Sequence, residues 1–415
     1  MELSTYFTPL QRDKVDFLEG DYNKCIGSAI QTYWEGSPFP STKDCKIALL
    51  GVCEDRGSAD NSGCSAAPDT IRRKFYRLVT PADDIAMTDL GNILPGKSHE
   101  DTVFALTDVL YELMRQDIVV IILGGSQDLT FAQYKAYERL GRIINIGTID
   151  SRFDIDDDEK LNSHSYIYQI VKQEPNYLFN FTNLGYQSYF NDRSLVELMD
   201  ELHFDAYRLG VIQQNMRRGE TLIRAIDMLS IDMGAVRQSD CPAHNNPSPH
   251  GFYGEELCQL ARFAGMSDKL SSIGFYELNP RYDNRFQAAH IVAHALWYFV
   301  EGFYNRTFDF PYRDTENYRR YLVTLNPQEM NIASSLHSSS TEDMMHASFS
   351  NPEIVFIKSK KTERWWMEVP CEMDEARERY KHHLLVPCTY EEYEQAMRSE
   401  IPDLWIKYYH RVNNI

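Results

Sequence analysis

The chain has 415 residues, of which 61 are acidic and 42 basic, so its formal net charge at pH 7 is −19. So negative a chain repels phosphate backbones and anionic lipid surfaces, which excludes nucleic acid as a partner and argues against membrane association. No apolar run approaches the ~18 residues that cross a bilayer, and the first residues do not resemble a secretory signal, so we expect a cytoplasmic protein.

From residue 46 onward, short apolar runs alternate with longer amphipathic stretches. The runs predict strands at 46–52, 117–125, 142–150 and 227–233, and more weakly at 176–186 and 270–278. The amphipathic stretches predict helices at Ala67–Leu78, Asp101–Arg115, Thr130–Leu140, Ser194–Leu202, Gly219–Ala225, Gly254–Ala264 and Arg285–Tyr304. Because continuous apolar runs are typical of strands buried on both faces, and strands alternate with helices, we expect a mainly parallel sheet.

The two ends of the chain differ from this alternating region. Residues 1–45 are polar and aromatic, and we interpret them as an N-terminal extension of an α/β domain at 46–305. Residues 306–415 are interpreted as an appended C-terminal module. Its pattern predicts an irregular polar segment, a two-stranded hairpin and a helix, at 306–350, 353–369 and Tyr390–His410.

Carboxylates follow four of the predicted strands. In chain order they are Glu54, Asp55, Asp128, Asp150, Asp154 and Asp232. Ligands of open parallel sheets bind beyond the carboxyl ends of the strands, and carboxylates grouped there need a divalent cation or a buried arginine to offset their repulsion. Taken alone, the pattern also fits solvated loop carboxylates that cap helices.

The order and spacing of several segments resemble the ureohydrolases, the family of arginase, agmatinase and formimidoylglutamase. The segments GGSQDLT (124–130), IDSRFDID (149–156) and SIDMG (230–234) correspond to the family's Gly-Gly-Asp-His-Ser, Asp-Ala-His-x-Asp and Ser-x-Asp-x-Asp. Residues 51–72 and HGFYGEEL (250–257) match two further family segments. The resemblance covers 46–305 and implies a three-layer α/β/α arginase-like fold with a mainly parallel sheet of about eight strands, plus additions at both ends.

The resemblance implies a two-manganese site with six metal-binding positions, and only half of them are retained. The retained positions are Asp150, Asp154 and Asp232, and the replaced ones are Gln127, Arg152 and Gly234. A neutral amide is a poorer ligand than the family's imidazole, and a guanidinium, which is always protonated, cannot bind a metal. We therefore expect the Arg152 side chain to bridge two of the aspartates and to replace the charge of the metal.

The resemblance also implies catalytic roles for two residues outside the metal positions. His164 corresponds to a family histidine that contacts substrate or relays protons, a task that suits a pKa near neutrality; the alternative is a polar loop histidine. Glu256 corresponds to a carboxylate that pairs with the guanidino or amidine end of the substrate. Its alternative is a glutamate at a helix start, stabilised by the helix dipole.

These departures predict an arginase/formimidoylglutamase-family homologue with a degenerate metal site. It would lack standard manganese-dependent hydrolysis and act as a ligand-binding or regulatory pseudoenzyme. The alternative is an active, formimidoylglutamase-like hydrolase of linear amidine or guanidino C–N bonds, with an atypical or single-metal site at the three aspartates. We expect a small-molecule ligand or substrate and no bound cofactor, or manganese or another divalent cation under the alternative. The family's assemblies imply a homo-oligomer.

Overall fold

The computed structural model describes residues 2–15, 24–311, 316–326, 331–332 and 353–413. The backbone forms two compact units. The larger comprises Met1–Met199 and Asp205–Arg306, and the smaller comprises Asp200–Phe204 and Thr307–Ile415. Among the residues described, no helix combines the length and the apolar composition that a membrane span requires.

One ten-stranded sheet organises the larger unit. Its strands are β1 Phe7–Thr8, β2 Gln31–Thr32, β3 Ile47–Val52, β4 Met87–Ile93, β5 Val119–Leu123, β6 Ile144–Ile149, β7 Leu178–Tyr186, β8 Asp205–Arg208, β9 Met228–Asp232 and β10 Ser272–Tyr276. The strands from β3 to β10 are parallel, in the order β4-β3-β5-β10-β9-β6-β7-β8. At the edge, β1 pairs antiparallel and β2 parallel with β4. The predicted parallel sheet is confirmed.

Helices of this part of the chain pack in two series. They are α1 Arg12–Val15, α2 Ile26–Ala29, α3 Ala67–Phe75, α4 His99–Met114, α5 Thr130–Arg139, α6 Tyr166–Val171, α7 Arg193–Glu201, α8 Leu209–Gln214, α9 Met216–Arg224, α10 Gly254–Met266 and α11 Gln287–Tyr304. In one series α9 packs on α10, α10 on α11 and α11 on α3; in the other α4 packs on α5 and α5 on α6. Each helix predicted from the sequence is present within a few residues of its expected position.

The strand β4 was missed by the sequence analysis because its sequence, MTDLGNI, is polar. All of its residues are nevertheless buried. The carboxylate of Asp89 inside it receives two hydrogen bonds from the guanidinium of Arg72 on α3, at 2.7 and 2.9 Å. Because a buried charge is tolerated when it is paired and hydrogen-bonded, this contact lets a polar sequence form an interior strand.

A separate four-stranded sheet forms the centre of the smaller unit. The elements there are β11 Tyr318–Thr324, β12 Asn331–Ile332, β13 Glu353–Ser359, β14 Trp365–Glu368, α12 Asp374–Tyr380, β15 Leu385–Cys388, α13 Tyr390–Met397, β16 Glu400–Ile401 and α14 Asp403–Asn413. The sheet order is β11-β13-β14-β15, and β13 and β14 pair antiparallel. The hairpin predicted at 353–369 is therefore confirmed.

Two predictions for the smaller unit are wrong. The segment 306–350 is not wholly irregular, because β11 lies within it and pairs antiparallel with β13; residues 312–315, 327–330 and 333–350 lie outside the described part. The single helix predicted over Tyr390–His410 is two helices separated by β16. Ser399 has a left-handed φ of 60°, and Pro402 has no N–H for a continuing helix, so the first helix ends before them.

Candidate active site

Four adjacent strands of the large sheet bring polar side chains to one edge. In sheet order, β5 is followed by Gln127, β10 by Glu277, β9 ends in Asp232, and β6 is followed by Asp150. Because parallel strands end at the same edge, residues far apart in sequence meet there. The site is therefore a direct product of the order in which the strands pair.

Close packing of the loop after β5 fixes one wall of the site. A Cβ on Gly125 would lie 1.8 Å from the backbone oxygen of Glu54, so only glycine fits at that position. The next residue, Ser126, donates its backbone N–H to the same oxygen at 3.0 Å. The backbone N–H of Gln127 then donates to Glu277 Oε1 at 2.7 Å, which ties the ends of β5 and β10 together.

Three carboxylates converge at the centre of this edge. One oxygen from each of Asp150, Asp154 and Asp232 lies within 4.8 Å of the other two. The Oδ2 atom of Asp150 is buried and accepts no hydrogen bond from the described residues. The backbone of Asp154 has a left-handed φ of 51°, an uncommon conformation for a residue other than glycine that is found preferentially at functional sites.

The carboxylates raise one another's affinity for protons. Burial, together with the charge of Asp232, raises the pKa of Asp150 from 3.8 to about 7. Burial and the charges of the other two aspartates raise the pKa of Asp154. Burial also raises the pKa of Asp232. Burial and the charge of Asp232 together raise the pKa of Glu277. Without a positive partner, this group therefore favours protonation over full ionisation.

The Arg152 guanidinium does not neutralise the cluster. It lies over the Phe190 ring, 4.7 Å from the centroid, and its Nη1 donates to the Phe190 backbone oxygen at 3.3 Å. Only the backbone N–H of Arg152 contacts Asp150, at 2.8 Å from Oδ1. Within the described parts of the chain, no ion pair joins Arg152 to the three aspartates. The predicted internal ion network is wrong, because the stack on Phe190 holds the guanidinium away from the carboxylates.

The other two replaced positions also differ from metal ligands in their surroundings. Gln127 donates its side-chain amide to Tyr166 Oη at 3.0 Å and to Ser230 Oγ at 3.4 Å, while its buried Oε1 has no hydrogen-bond partner among the described residues. An amide oxygen is a ligand that hard cations accept. Gly234 offers no side chain, and its backbone N–H donates to Asp232 Oδ1 at 2.5 Å.

A single pocket collects most of the site residues predicted from the sequence. Those that line it are Gln127, Arg152, Asp154, His164, Asp232 and Gly234. Counted with its opening to solvent, the pocket has a volume of about 530 Å³. His164 is one-third exposed there, with Nε2 3.9 Å from Asp60 Oδ1. Its position suits contact with a ligand.

Glu256 is not among the residues that line this pocket, and its catalytic role stays a prediction from the family resemblance. Its Oε2 accepts hydrogen bonds from the backbone N–H of Tyr253 and from Gln213 Nε2, both at 2.9 Å, which caps the first turn of α10. A glutamate that does line the pocket, beside the aspartates, is Glu277. Sequence analysis missed it because the predicted strand, 270–278, ran past it, whereas the observed strand β10 ends at Tyr276, directly before it.

The remaining strand-end carboxylates have partners within the protein. Glu54 pairs with Arg56, Asp55 accepts from the backbone N–H of Gly63, and Asp128 contacts His99 Nε2 at 2.5 Å. Although burial opposes the charged imidazole, the hydrogen bond and charge of Asp128 raise the pKa of His99. The three converging aspartates differ from Glu54 and Asp128, because no side chain with a basic group in the described residues forms an ion pair with them.

Comparison with known protein families agrees with this geometry. Residues 45–301, more than half of the chain, match the family model described as the Arginase family. The chain belongs to the arginase family. The family and fold that the sequence motifs predicted are confirmed.

Within the arginase family, the chain is similar to formimidoylglutamases. It is 25% identical to that of Staphylococcus haemolyticus (strain JCSC1435) over 267 residues, which are 61% of this chain and 85% of the relative. It is 27% identical to that of Staphylococcus aureus (strain MRSA252) over 271 residues, covering 61% and 86%. The crystal structure of Bacillus subtilis formimidoylglutamase aligns with a TM-score of 0.61 at 20% identity, covering 72% of this chain and 99% of that one. Trypanosoma cruzi formiminoglutamase with Mn²⁺ aligns with a TM-score of 0.59 at 17% identity, covering 64% and 96%.

The residues of this arginase-family pocket fit one hard cation but not two. Asp150, Asp154 and Asp232 offer converging oxygens, and Oδ2 of Asp150 is unused. Oxygen ligands of this kind suit manganese, magnesium or calcium. Arg152 and Gly234 supply no ligand for a second ion.

Proposed function

We propose that this protein binds one divalent cation through Asp150, Asp154 and Asp232, and a small polar ligand beside it, and that it does not carry out two-manganese hydrolysis. The supporting observation is the convergence of three carboxylates with an unpartnered buried oxygen on Asp150. The three other positions of a two-ion site hold Gln127, Arg152 and Gly234, and the last two offer no side-chain ligand. Homo-oligomerisation and a cytoplasmic location stay predictions.

Two-metal hydrolysis is disfavoured by the chemistry of water activation. A pair of closely spaced cations makes a strong nucleophile from a shared water. A single cation carries less positive charge and activates a water less strongly. A single cation, when bound, polarises an oxygen of the ligand. The chain's own contribution is to orient the ligand: Glu277, fixed by Asn61 Nδ2 at 2.9 Å and by the backbone N–H of Gln127, presents a carboxyl to the pocket.

A second function, hydrolysis of a linear amidine at a single-metal site, is favoured by two proton-carrying groups in the same pocket. Burial and the charge of Asp232 raise the pKa of Glu277, which favours the protonated carboxyl. His164 faces the same space. The similarity to formimidoylglutamases supports an amidine as the substrate of this alternative.

Metal content and turnover together test the proposal. The purified chain is dialysed against manganese, freed of loosely held ion, and analysed for bound metal; about one equivalent is expected. It is then assayed for release of urea, ammonia or formamide from arginine, agmatine and N-formimidoylglutamate, and no turnover is expected. Two equivalents of manganese would contradict the proposal. Turnover that disappears in Asp232→Ala would establish the single-metal hydrolase instead.

Restoring the missing ligands provides a matched gain-of-function test. The triple variant Gln127→His, Arg152→His, Gly234→Asp should bind about two equivalents of manganese, because each change adds a group that can ligate the ion. Glu256→Gln, which lies outside the pocket, should leave the metal content at one equivalent. A triple variant that folds and still binds a single ion would show that the residue types at these three positions do not limit the number of ions bound.

A further inference from the structure

We propose that Arg152 selects a ligand that carries a carboxylate, which makes it the specificity-determining residue of the pocket. This inference rests on the proposed function, since it names the chemical class of the ligand for the same site. It assigns a binding role to a side chain that cannot ligate metal and that does not pair with the aspartates. The ligand class that follows is a small zwitterion with a carboxylate at one end and a cationic group at the other.

The orientation of Arg152 is fixed at both ends. Its backbone N–H is held by Asp150 Oδ1 at 2.8 Å, and its guanidinium stacks on Phe190 and donates to the backbone oxygen of that residue. The side chain is half-buried and lines the pocket. A guanidinium held in this way loses little further conformational freedom when it binds a ligand, which favours affinity.

This guanidinium forms no ion pair within the described part of the chain, although its charge acts on Asp154. A guanidinium has five N–H donors, and in the described residues the side chain of Arg152 makes one hydrogen bond, to Phe190. Its remaining donors form a planar fork that matches a carboxylate. Asp154, Asp232 and Glu277 line the same pocket, so positive and negative groups face one small volume. A ligand with both charges complements that arrangement.

His244 adds a second donor next to the replaced position 234. Its Nδ1 accepts the backbone N–H of Asn246 at 3.0 Å, which leaves the proton of the neutral ring on Nε2. A Cβ at Gly234 would lie 3.5 Å from His244 Cδ2, so the imidazole edge lies beside the glycine. The pocket thus has a second N–H group, from His244, in addition to the guanidinium of Arg152.

Pairs of probes that differ by one carboxylate test this inference. L-arginine is compared with agmatine, and L-glutamate with 4-aminobutyrate, by isothermal titration calorimetry on the full chain, with and without manganese. The carboxylate-bearing member of at least one pair should bind about tenfold more tightly or better, as expected for one charge-assisted bidentate contact. Equal affinity within both pairs, or no binding of any probe, would overturn the inference.

Three variants separate recognition from a general effect of charge. Arg152→Gln should remove the preference for the carboxylate, and Arg152→Lys should keep part of it, because a lysine retains the charge but not the planar fork. Arg193→Gln removes one positive charge from an exposed position on α7 and should keep the full preference. Thermal unfolding of each variant verifies that it is folded. An equal loss in Arg193→Gln and Arg152→Gln would overturn the assignment.

The outcomes also distinguish this inference from the proposed function. One equivalent of manganese without any carboxylate preference would reject the role of Arg152 and leave the single-cation site standing. Two equivalents, with a preference that depends on Arg152, would reject the single-cation site and leave the anion-binding role standing.

Discussion

The larger unit buries carboxylates in two different ways. Within β4, Asp89 accepts two hydrogen bonds from Arg72 and one from Tyr76 Oη, the last at 2.7 Å, and Arg72 also donates to Asn92 Oδ1 at 2.6 Å. Although burial opposes the charge of Arg72, the charge of Asp89 raises the pKa of its guanidinium. At the pocket, three aspartates converge without such a partner among the described residues.

The difference separates a carboxylate that the fold itself neutralises from carboxylates that it leaves without an ion pair. Arg72 neutralises Asp89, and this is the role that the sequence led us to expect of Arg152 toward the aspartates of the pocket. Protonation, or a cation from outside the chain, can relieve the repulsion among the converging aspartates, since burying like charges together is unfavourable. Arg152, with its charge directed elsewhere, is left available for an anionic group.

Removing the structural guanidinium should have the largest effect on stability. Arg72→Met leaves Asp89 buried without its cation, which should lower the free energy of unfolding by about 3–5 kcal/mol. The measurement is urea denaturation of the manganese-loaded chain. Arg152→Met is the matched control. Because the Arg152 side chain stacks on Phe190 and makes one 3.3 Å hydrogen bond to its backbone oxygen, without an ion pair, the loss should stay at about 1 kcal/mol or less. Similar losses in the two variants would remove the distinction between the two regions.

The pH dependence of the metal-free chain should reveal the uncompensated carboxylates. The folded-state pKa of Asp150, about 7, exceeds the ordinary value of 3.8, so the folded state holds the proton more tightly. The contribution of Asp150 protonation to the free energy of unfolding is therefore complete below pH 3.8. It is lost as the pH rises through 7, and the loss is at most roughly 4 kcal/mol. The raised pKa values of Asp154, Asp232 and Glu277 act in the same direction.

Unfolding free energies at pH 5 and pH 8, with chelator and with excess manganese, test that expectation. The decrease between pH 5 and pH 8 should be marked with chelator and largely suppressed by manganese, because the ion stabilises the ionised carboxylates. Identical pH profiles in the two conditions would mean that no cation binds at the aspartates.

Asp150→Asn should change stability in opposite directions with and without metal. In chelator at pH 8 the variant should be more stable than the parent chain by about 1–2 kcal/mol, because one of the repelling charges is gone. With manganese, the parent chain should gain more than the variant does. Thermal unfolding in the two conditions gives both comparisons. A variant that is less stable than the parent in chelator would show that the three charges do not repel one another in the folded state.

The parts of the fold that were predicted correctly depend on local sequence patterns. Continuous apolar runs identified β3, β5, β6 and β9, and the strand-end rule then located Asp150 and Asp232. The missed strand β4 carries a buried Asp89, whose neutralisation depends on a residue 17 positions away. Hydrophobic periodicity and local composition do not reveal an ion pair between residues so far apart in sequence.

The direction of the Arg152 side chain could not be predicted from the sequence. Its position among the former metal ligands was evident from the motif, but its direction depends on the ring and backbone of Phe190, 38 residues later in the chain. Charge complementarity alone favoured the nearby aspartates. Packing against an aromatic ring determined the geometry instead.

The smallest predicted effect concerns Glu256, a carboxylate with backbone partners at the start of a helix. Glu256→Gln keeps the size of the side chain but weakens the acceptor for Tyr253 N–H and removes a favourable charge at the N-terminus of α10, which should cost about 0.5–1 kcal/mol. Because the residue does not line the pocket, manganese content and ligand affinity should stay unchanged. Urea denaturation and the metal analysis above measure the two quantities. A loss of ligand binding at unchanged stability would support the catalytic role of Glu256 that the family resemblance implied.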